Sequence, residues 1–152
     1  MRKLFVFLAL SLLICTSCGG DDGGSKHSGP SGSSPVISDL QCPQTTLDRG
    51  QGGGVFTVQD CSVEFIDQDE DLETILETPL YSAQECGEAP LSEISIDVRS
   101  QTVGEKQGTI LFDARVQTNC VAGTYTYEFS GLDSKSNESN QSLLLQFELV
   151  EP

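Results

Sequence analysis

Acidic side chains are concentrated in one short stretch of the sequence. Asp67, Asp69 and Asp71 stand at alternate positions, and Asp133 lies in a later segment rich in serine and asparagine. Alternate carboxylates on a turn can converge on a hard cation, since calcium takes about six to eight oxygen ligands. Carboxylates held this close would repel one another without a positive charge between them. These four residues form the predicted calcium site.

The segment from Asp67 to Leu72 resembles the start of the calcium-binding loops that follow the pattern DxDxDG. It departs from that pattern at Leu72, where those loops have Gly, and Thr78 stands where an EF-hand has its last, bidentate Glu. An acidic turn that faces solvent and binds no metal stays open as the alternative, because Asp is a common turn residue.

The composition of the chain excludes several classes of function. The formal net charge is -15, from 8 Lys plus Arg against 23 Asp plus Glu, so we expect no nucleic-acid partner. The single histidine, His27, disfavours Ser/His and Cys/His hydrolytic chemistry and multi-histidine metal sites. Paired-carboxylate catalysis needs acids on both sides of a cleft, whereas these acids share one turn. We therefore predict that the protein is not an enzyme.

The N-terminus has the three parts of a secretory signal. Arg2 and Lys3 precede an apolar run from Leu4 to Ile14, and small residues then lead to Cys18. A bilayer-spanning helix needs roughly 20 apolar residues, and this run is shorter. Residues 1–17 are therefore predicted to be a cleaved signal peptide.

The junction Cys15-Thr16-Ser17-Cys18 resembles the lipobox of bacterial lipoproteins, although Cys15 stands where that family prefers Leu. The resemblance implies that Cys18 is acylated, as with palmitate, and anchors the protein in a membrane. Gly19 in the next position implies sorting to the outer membrane, on its periplasmic or cell-surface face. An ordinary cleaved signal is the alternative. Residues 18–35, which hold almost no apolar side chain after Cys18, are the predicted tether.

Residues 36–152 show the period-two alternation of apolar side chains that is typical of β-strands. No segment carries a helical stripe of useful length, and about seven strands are expected. The rows expected to point inward are Cys61, Val63 and Phe65; Ile94, Ile96 and Val98; Ile110, Phe112, Ala114 and Val116; Tyr125, Tyr127 and Phe129; and Leu143, Leu145, Phe147 and Leu149. This pattern predicts an all-β, immunoglobulin-like antiparallel sandwich.

The segment from Ala122 to Tyr127 resembles the start of strand F in such sandwiches, where a tyrosine packs into the preceding corner. The resemblance gives that role to Tyr125 and places Tyr127 where antibody domains have a cysteine. Over the whole domain, the strand and turn segments resemble the immunoglobulin-like or cadherin-like modules of exported bacterial proteins. That resemblance implies a surface module that binds a protein or glycan partner or plays a structural role, with calcium-dependent rigidity.

Four cysteines remain after Cys18, which is an even number in a protein expected to be exported to an oxidising compartment. Two disulfides are therefore predicted, and about three connectivities are possible. We favour Cys42 with Cys120 and Cys61 with Cys86. An alternative function is inhibition of a protease or host factor, because loops around Cys86 and Cys120 would be pinned by these bridges.

Overall fold

The computed structural model describes residues 32–87 and 89–152. The predicted signal peptide, Cys18 and the greater part of the predicted tether lie outside the described residues. Within the part that is described, the helices are too short and too polar to cross a bilayer.

The described chain folds mainly into β-strands, as its alternating sequence predicts. The strands in chain order are β1 (Val36–Gln41), β2 (Thr46–Asp48), β3 (Val55–Ile66), β4 (Leu72–Pro79), β5 (Ile94–Asp97), β6 (Gln107–Gln117), β7 (Gly123–Asp133) and β8 (Leu143–Val150). A short 3-10 turn spans Gln51–Gly54, and two short α-helices, α1 (Ala83–Cys86) and α2 (Arg99–Thr102), flank β5.

The strands form two sheets that pack against each other. One sheet has the order β1-β3-β6 and the other has the order β2-β8-β7-β4-β5. Neighbouring strands run antiparallel, except that β2 runs parallel to β8. This strand order is that of an immunoglobulin-like sandwich, so the predicted fold is confirmed.

The core lies between the sheets and contains most of the predicted rows, although Ile94 lies outside it. Buried residues from outside those rows complete it: Ile37, Leu47, Val58, Leu72 and Ile75. Tyr127, Phe129 and Phe147 are fully buried near its centre, and the edge of the Tyr127 ring meets the ring of Phe147. The Tyr125 hydroxyl donates to the backbone oxygen of Val121 at 2.7 Å. This bond closes the tyrosine corner that the resemblance to strand F implies.

The two disulfides differ from the predicted pairing. The structure joins Cys42 to Cys61 and Cys86 to Cys120, so the pairs Cys42 with Cys120 and Cys61 with Cys86 are wrong. Gln41 at the end of β1 lies opposite Ser62 in β3. The antiparallel register therefore places Cys42, which directly follows β1, beside Cys61.

The second bridge joins two connections at one end of the sandwich. Cys86 ends α1, between β4 and β5, and Cys120 lies between β6 and β7. The backbone N–H of Val121 also donates to the oxygen of Glu85 at 3.0 Å. The connection after β4 is therefore fastened to the one before β7 by a covalent bond and a hydrogen bond.

Candidate functional site

Asp67 organises the acidic turn that follows β3. Its side chain is only 1% exposed. One carboxylate oxygen accepts the backbone N–H of Asp69 at 3.2 Å, and the other accepts those of Asp71 and Leu72 at 2.6 and 2.7 Å. A buried carboxylate needs such donors to offset its lost hydration. The role shown for Asp67 is therefore to hold the turn together.

Asp133, the last residue of β7, has a matching role for the loop that follows. It is 3% exposed and accepts the backbone N–H groups of Lys135 and Asn137 at 2.8 and 2.7 Å. The side-chain amide of Asn137 donates a third hydrogen bond at 2.6 Å. Both buried aspartates of the predicted site are thus bound by donors of their own loops.

The two acidic loops, which follow β3 and β7, meet at one end of the sandwich. The hydroxyl of Ser134 donates to Asp71 at 2.7 Å, and its backbone N–H donates to the Asp71 backbone oxygen at 2.9 Å. Asp69 lies on the same side and accepts the backbone N–H of Ser33 at 2.6 Å. Residues at the end of the predicted tether therefore contact the folded domain.

Lys135 supplies the positive charge at the centre of this cluster. Its ammonium nitrogen lies 2.8 Å from the Asp71 carboxylate and 3.9 Å from that of Asp69. The hydrogen bond from Lys135 lowers the pKa of Asp71, and the same bond raises the pKa of Lys135. The charge of Asp71 is thus balanced by a side chain of the protein itself.

The predicted calcium ligands do not all point at one centre. Among the described residues, no group of three or more acidic, histidine or cysteine side chains has the arrangement of a metal site. Oδ1 of Asp71 is nevertheless buried without a hydrogen-bond partner. Calcium binding by Asp67, Asp69, Asp71 and Asp133 stays a prediction.

A second polar cluster lies inside the sandwich, where sequence analysis placed none. Glu77 in β4 is fully buried, and both of its carboxylate oxygens accept the backbone N–H of Arg115 at 3.1 Å. Burial raises the pKa of Glu77 to about 7, although the N–H of Arg115 opposes that shift. The signal for this residue was present, because the period-two row through Ile75 makes Glu77 point inward.

Tyrosine and glutamine side chains continue this buried cluster. The Tyr127 hydroxyl accepts the backbone N–H of Gln117 at 3.0 Å and lies 3.1 Å from the hydroxyl of Tyr81. Tyr81 lies 2.9 Å from the side-chain oxygen of Gln117, to which it donates. Burial raises the pKa of Tyr127. The cluster satisfies backbone groups on the free edge of β6.

The chemistry open to these groups is limited by their surroundings. Glu77 has a pKa suited to proton transfer near neutral pH, but its side chain is enclosed between the sheets. A substrate would reach it only if the sandwich opened. At the loop end, Asp67 and Asp133 are buried and held by backbone donors. Asp71 is partly exposed and is held by Lys135. Both clusters therefore have a clear structural role.

The predicted lipidation site, Cys18, lies outside the described residues. The four other candidate cysteines all form disulfides. Comparison with known proteins adds no family: no protein-family model matches the sequence, and no curated protein matches it.

Proposed function

We propose that the protein is an exported bacterial lipoprotein whose sandwich binds a partner or has a structural role at the cell envelope, without catalysis. The observation that carries this proposal is the pairing of all four cysteines beyond Cys18 into two disulfides. Stable disulfides are typical of proteins outside the reducing cytosol. This supports the export that the N-terminal sequence predicts.

The sequence around Cys18 supports the membrane anchor. Acyl chains bind a bilayer with about 0.8 kcal/mol for each buried methylene group, so a multiply acylated cysteine would hold the domain at the membrane. Sorting to the outer membrane, on its periplasmic or surface face, follows from the lipobox resemblance and Gly19. The partner is a protein or a glycan, because the strong negative charge disfavours nucleic acid.

The experiment is expression of the full chain in a Gram-negative host that is fed a radioactive or alkynyl palmitate. We expect the label in wild type and in Cys15→Ser, with both proteins in the outer-membrane fraction. Cys18→Ser should carry no label. A labelled Cys18→Ser protein, or an unlabelled wild type that is fully exported, would contradict the lipid anchor.

A calcium-stiffened loop end is a second element of the proposal, supported by the buried and unpartnered Oδ1 of Asp71. Calcium would replace the ammonium of Lys135, which now lies against Asp71 and Asp69. Titration calorimetry on the full chain in detergent should show saturable binding that tightens in Lys135→Met. Loss of calcium binding in the double variant Asp69→Asn, Asp71→Asn would locate the site at the acidic turn. Absence of heat and of any melting shift at millimolar calcium would refute it.

Inhibition of a protease or host factor is the alternative function. The observation in its favour is the bridge between Cys86 and Cys120, which fixes two connections beside the exposed side chain of Val121. A panel of serine, cysteine and metalloproteases tests it. Inhibition of one enzyme, lost in Val121→Asp, would favour this alternative, whereas full activity of every enzyme in the panel would count against it.

A further inference from the structure

The sandwich has an open side where the edge strands of its two sheets face one another. β6 is the last strand of the three-stranded sheet and β5 is the last strand of the five-stranded sheet. An edge strand presents backbone N–H and C=O groups that can pair with another chain. This side can bind a further strand only where these backbone groups have no hydrogen-bond partner within the domain.

Side chains cover most of the free edge of β6. The side-chain amide of Gln101 donates to the backbone oxygen of Leu111 and accepts the Leu111 N–H, both at 2.8 Å. The carboxylate of Glu77 accepts the N–H of Arg115, and the Tyr127 hydroxyl accepts the N–H of Gln117. In β6, the odd-numbered residues therefore direct their N–H groups away from β3. Three of these groups, those of Leu111, Arg115 and Gln117, have side-chain acceptors.

Asp113 is the odd-numbered residue between Leu111 and Arg115, so its N–H and C=O point out of the same edge. No hydrogen bond to these two groups is found among the described residues outside the strand ladders. Directly after β5, the N–H of Val98 donates to the backbone oxygen of Glu73 in β4 at 2.9 Å. The alternation along that strand directs the N–H groups of Ser95 and Asp97 away from β4. Two uncovered stretches of strand edge thus face the same space.

A groove of about 400 Å³ opens at this position. Its apolar lining comes from Ile96 and Phe112, which also contact the core, and from Leu111, which is 55% exposed.

Carboxylates surround the same groove. They belong to Asp60, Asp97 and Asp113. Arg99 forms an ion pair with Asp97, whereas Asp113 accepts the backbone N–H of Asp60 at 3.4 Å. Two of the three carboxylates thus lack a cationic partner among the described ion pairs.

We propose that this groove binds an extended, basic segment of a partner protein, which adds to the β6 edge at Asp113. Backbone pairing would supply the affinity, apolar side chains would lie on the lining, and lysine or arginine would meet Asp60 and Asp113. A second copy of this chain is a poorer occupant, because it would bring the same carboxylates and a net charge of -15. The inference rests on the proposed binding function and gives the chemistry of the partner.

The test uses the full chain in detergent micelles and a synthetic peptide of alternating lysine and valine, with a glutamate–valine peptide as its control. We expect saturable binding of the lysine peptide alone, weakened by salt, with amide shifts at Asp113 and Ser95. Asp113→Asn removes only the charge and should weaken binding a few-fold. Asp113→Pro also removes the N–H and should weaken it at least tenfold.

A second variant keeps the proposal testable if Asp113→Pro does not fold. Gln101→Ala uncovers the backbone of Leu111, which lengthens the free edge, and should tighten binding of the lysine peptide. The proposal is refuted if Asp113→Pro and Asp113→Asn bind the lysine peptide with equal affinity, or if Gln101→Ala binds it no more tightly than wild type. It is also refuted if the peptide binds elsewhere on the domain, or if this edge mediates self-association instead. Failure here, in a protein that still carries lipid on Cys18, would leave the anchoring proposal intact.

Discussion

Glu77 makes the stability of this domain depend on pH in a definite direction. Its pKa is about 7 in the folded protein, against an ordinary value of 4.5, because the carboxylate is buried between the sheets. Between these two pH values the folded protein holds a proton that the unfolded chain has released. The free energy of unfolding therefore falls as pH rises through this window, and the loss is complete above it.

The size of the effect follows from the shift. Each pKa unit corresponds to about 1.4 kcal/mol, so the contribution of Glu77 amounts to about 3 kcal/mol across the window. Glu77 is fully buried, so solvent does not screen this effect. The titratable groups that face it are Tyr81 and Tyr127, and Arg115 contributes a backbone N–H and a more distant positive charge.

The perturbation that tests this is Glu77→Gln, which keeps the shape and one acceptor but cannot ionise. Urea unfolding at several pH values from 4.5 to 8 gives the free energy of unfolding for both proteins. We expect the variant to match wild type at the acidic end and to be about 3 kcal/mol more stable at the basic end.

An exposed glutamate serves as the control for this prediction. Glu64→Gln on the outer face of β3 removes one charge without touching the core, so it accounts for the general repulsion in a highly acidic protein. The reasoning is refuted if Glu77→Gln and wild type lose stability in parallel as pH rises.

Three further outcomes can be measured by urea unfolding. Tyr127→Phe should cost about 1 to 3 kcal/mol, because it leaves the buried N–H of Gln117 without its acceptor; no change would mean that water or another group replaces the hydroxyl. Asp133→Ala should destabilise the domain by a similar amount and speed hydrogen exchange in the loop after β7, whereas unchanged exchange would show that the loop holds itself. Replacing Cys86 and Cys120 together by serine should cost about 2 to 4 kcal/mol, and a smaller loss would mean that the native connections are strained by the bridge.

The strands were predictable because each buries one face, and burial of one face imposes a period of two on the sequence. The long strands β3, β6, β7 and β8 lie where the alternation predicts them. Strand β2 and the two helices were not expected because, unlike β5 with Ile94 and Ile96, these short segments have no alternating apolar side chains. They are held by the neighbouring backbone, as in the parallel pairing of β2 with β8.

The candidate site was predictable only in part. That the acidic turn meets the loop after β7 follows from the order of strands in the sandwich. The position of Lys135 beside the acids does not follow from the order of strands, because it depends on the path of a single loop. The disulfide pairing depended on the register between β1 and β3, in which Cys42 lies beside Cys61. Separation along the chain carries no information about that register.

The measurement that tests the central proposal most directly is the intact mass of the wild-type protein extracted from membranes, followed by N-terminal fragmentation. We predict a chain that begins at Cys18, carries acyl groups on that residue, and lacks the four hydrogen atoms that two disulfides remove. A chain that begins at another residue without lipid, or one that retains Met1 and reduced cysteines, would contradict an exported, lipid-anchored sandwich.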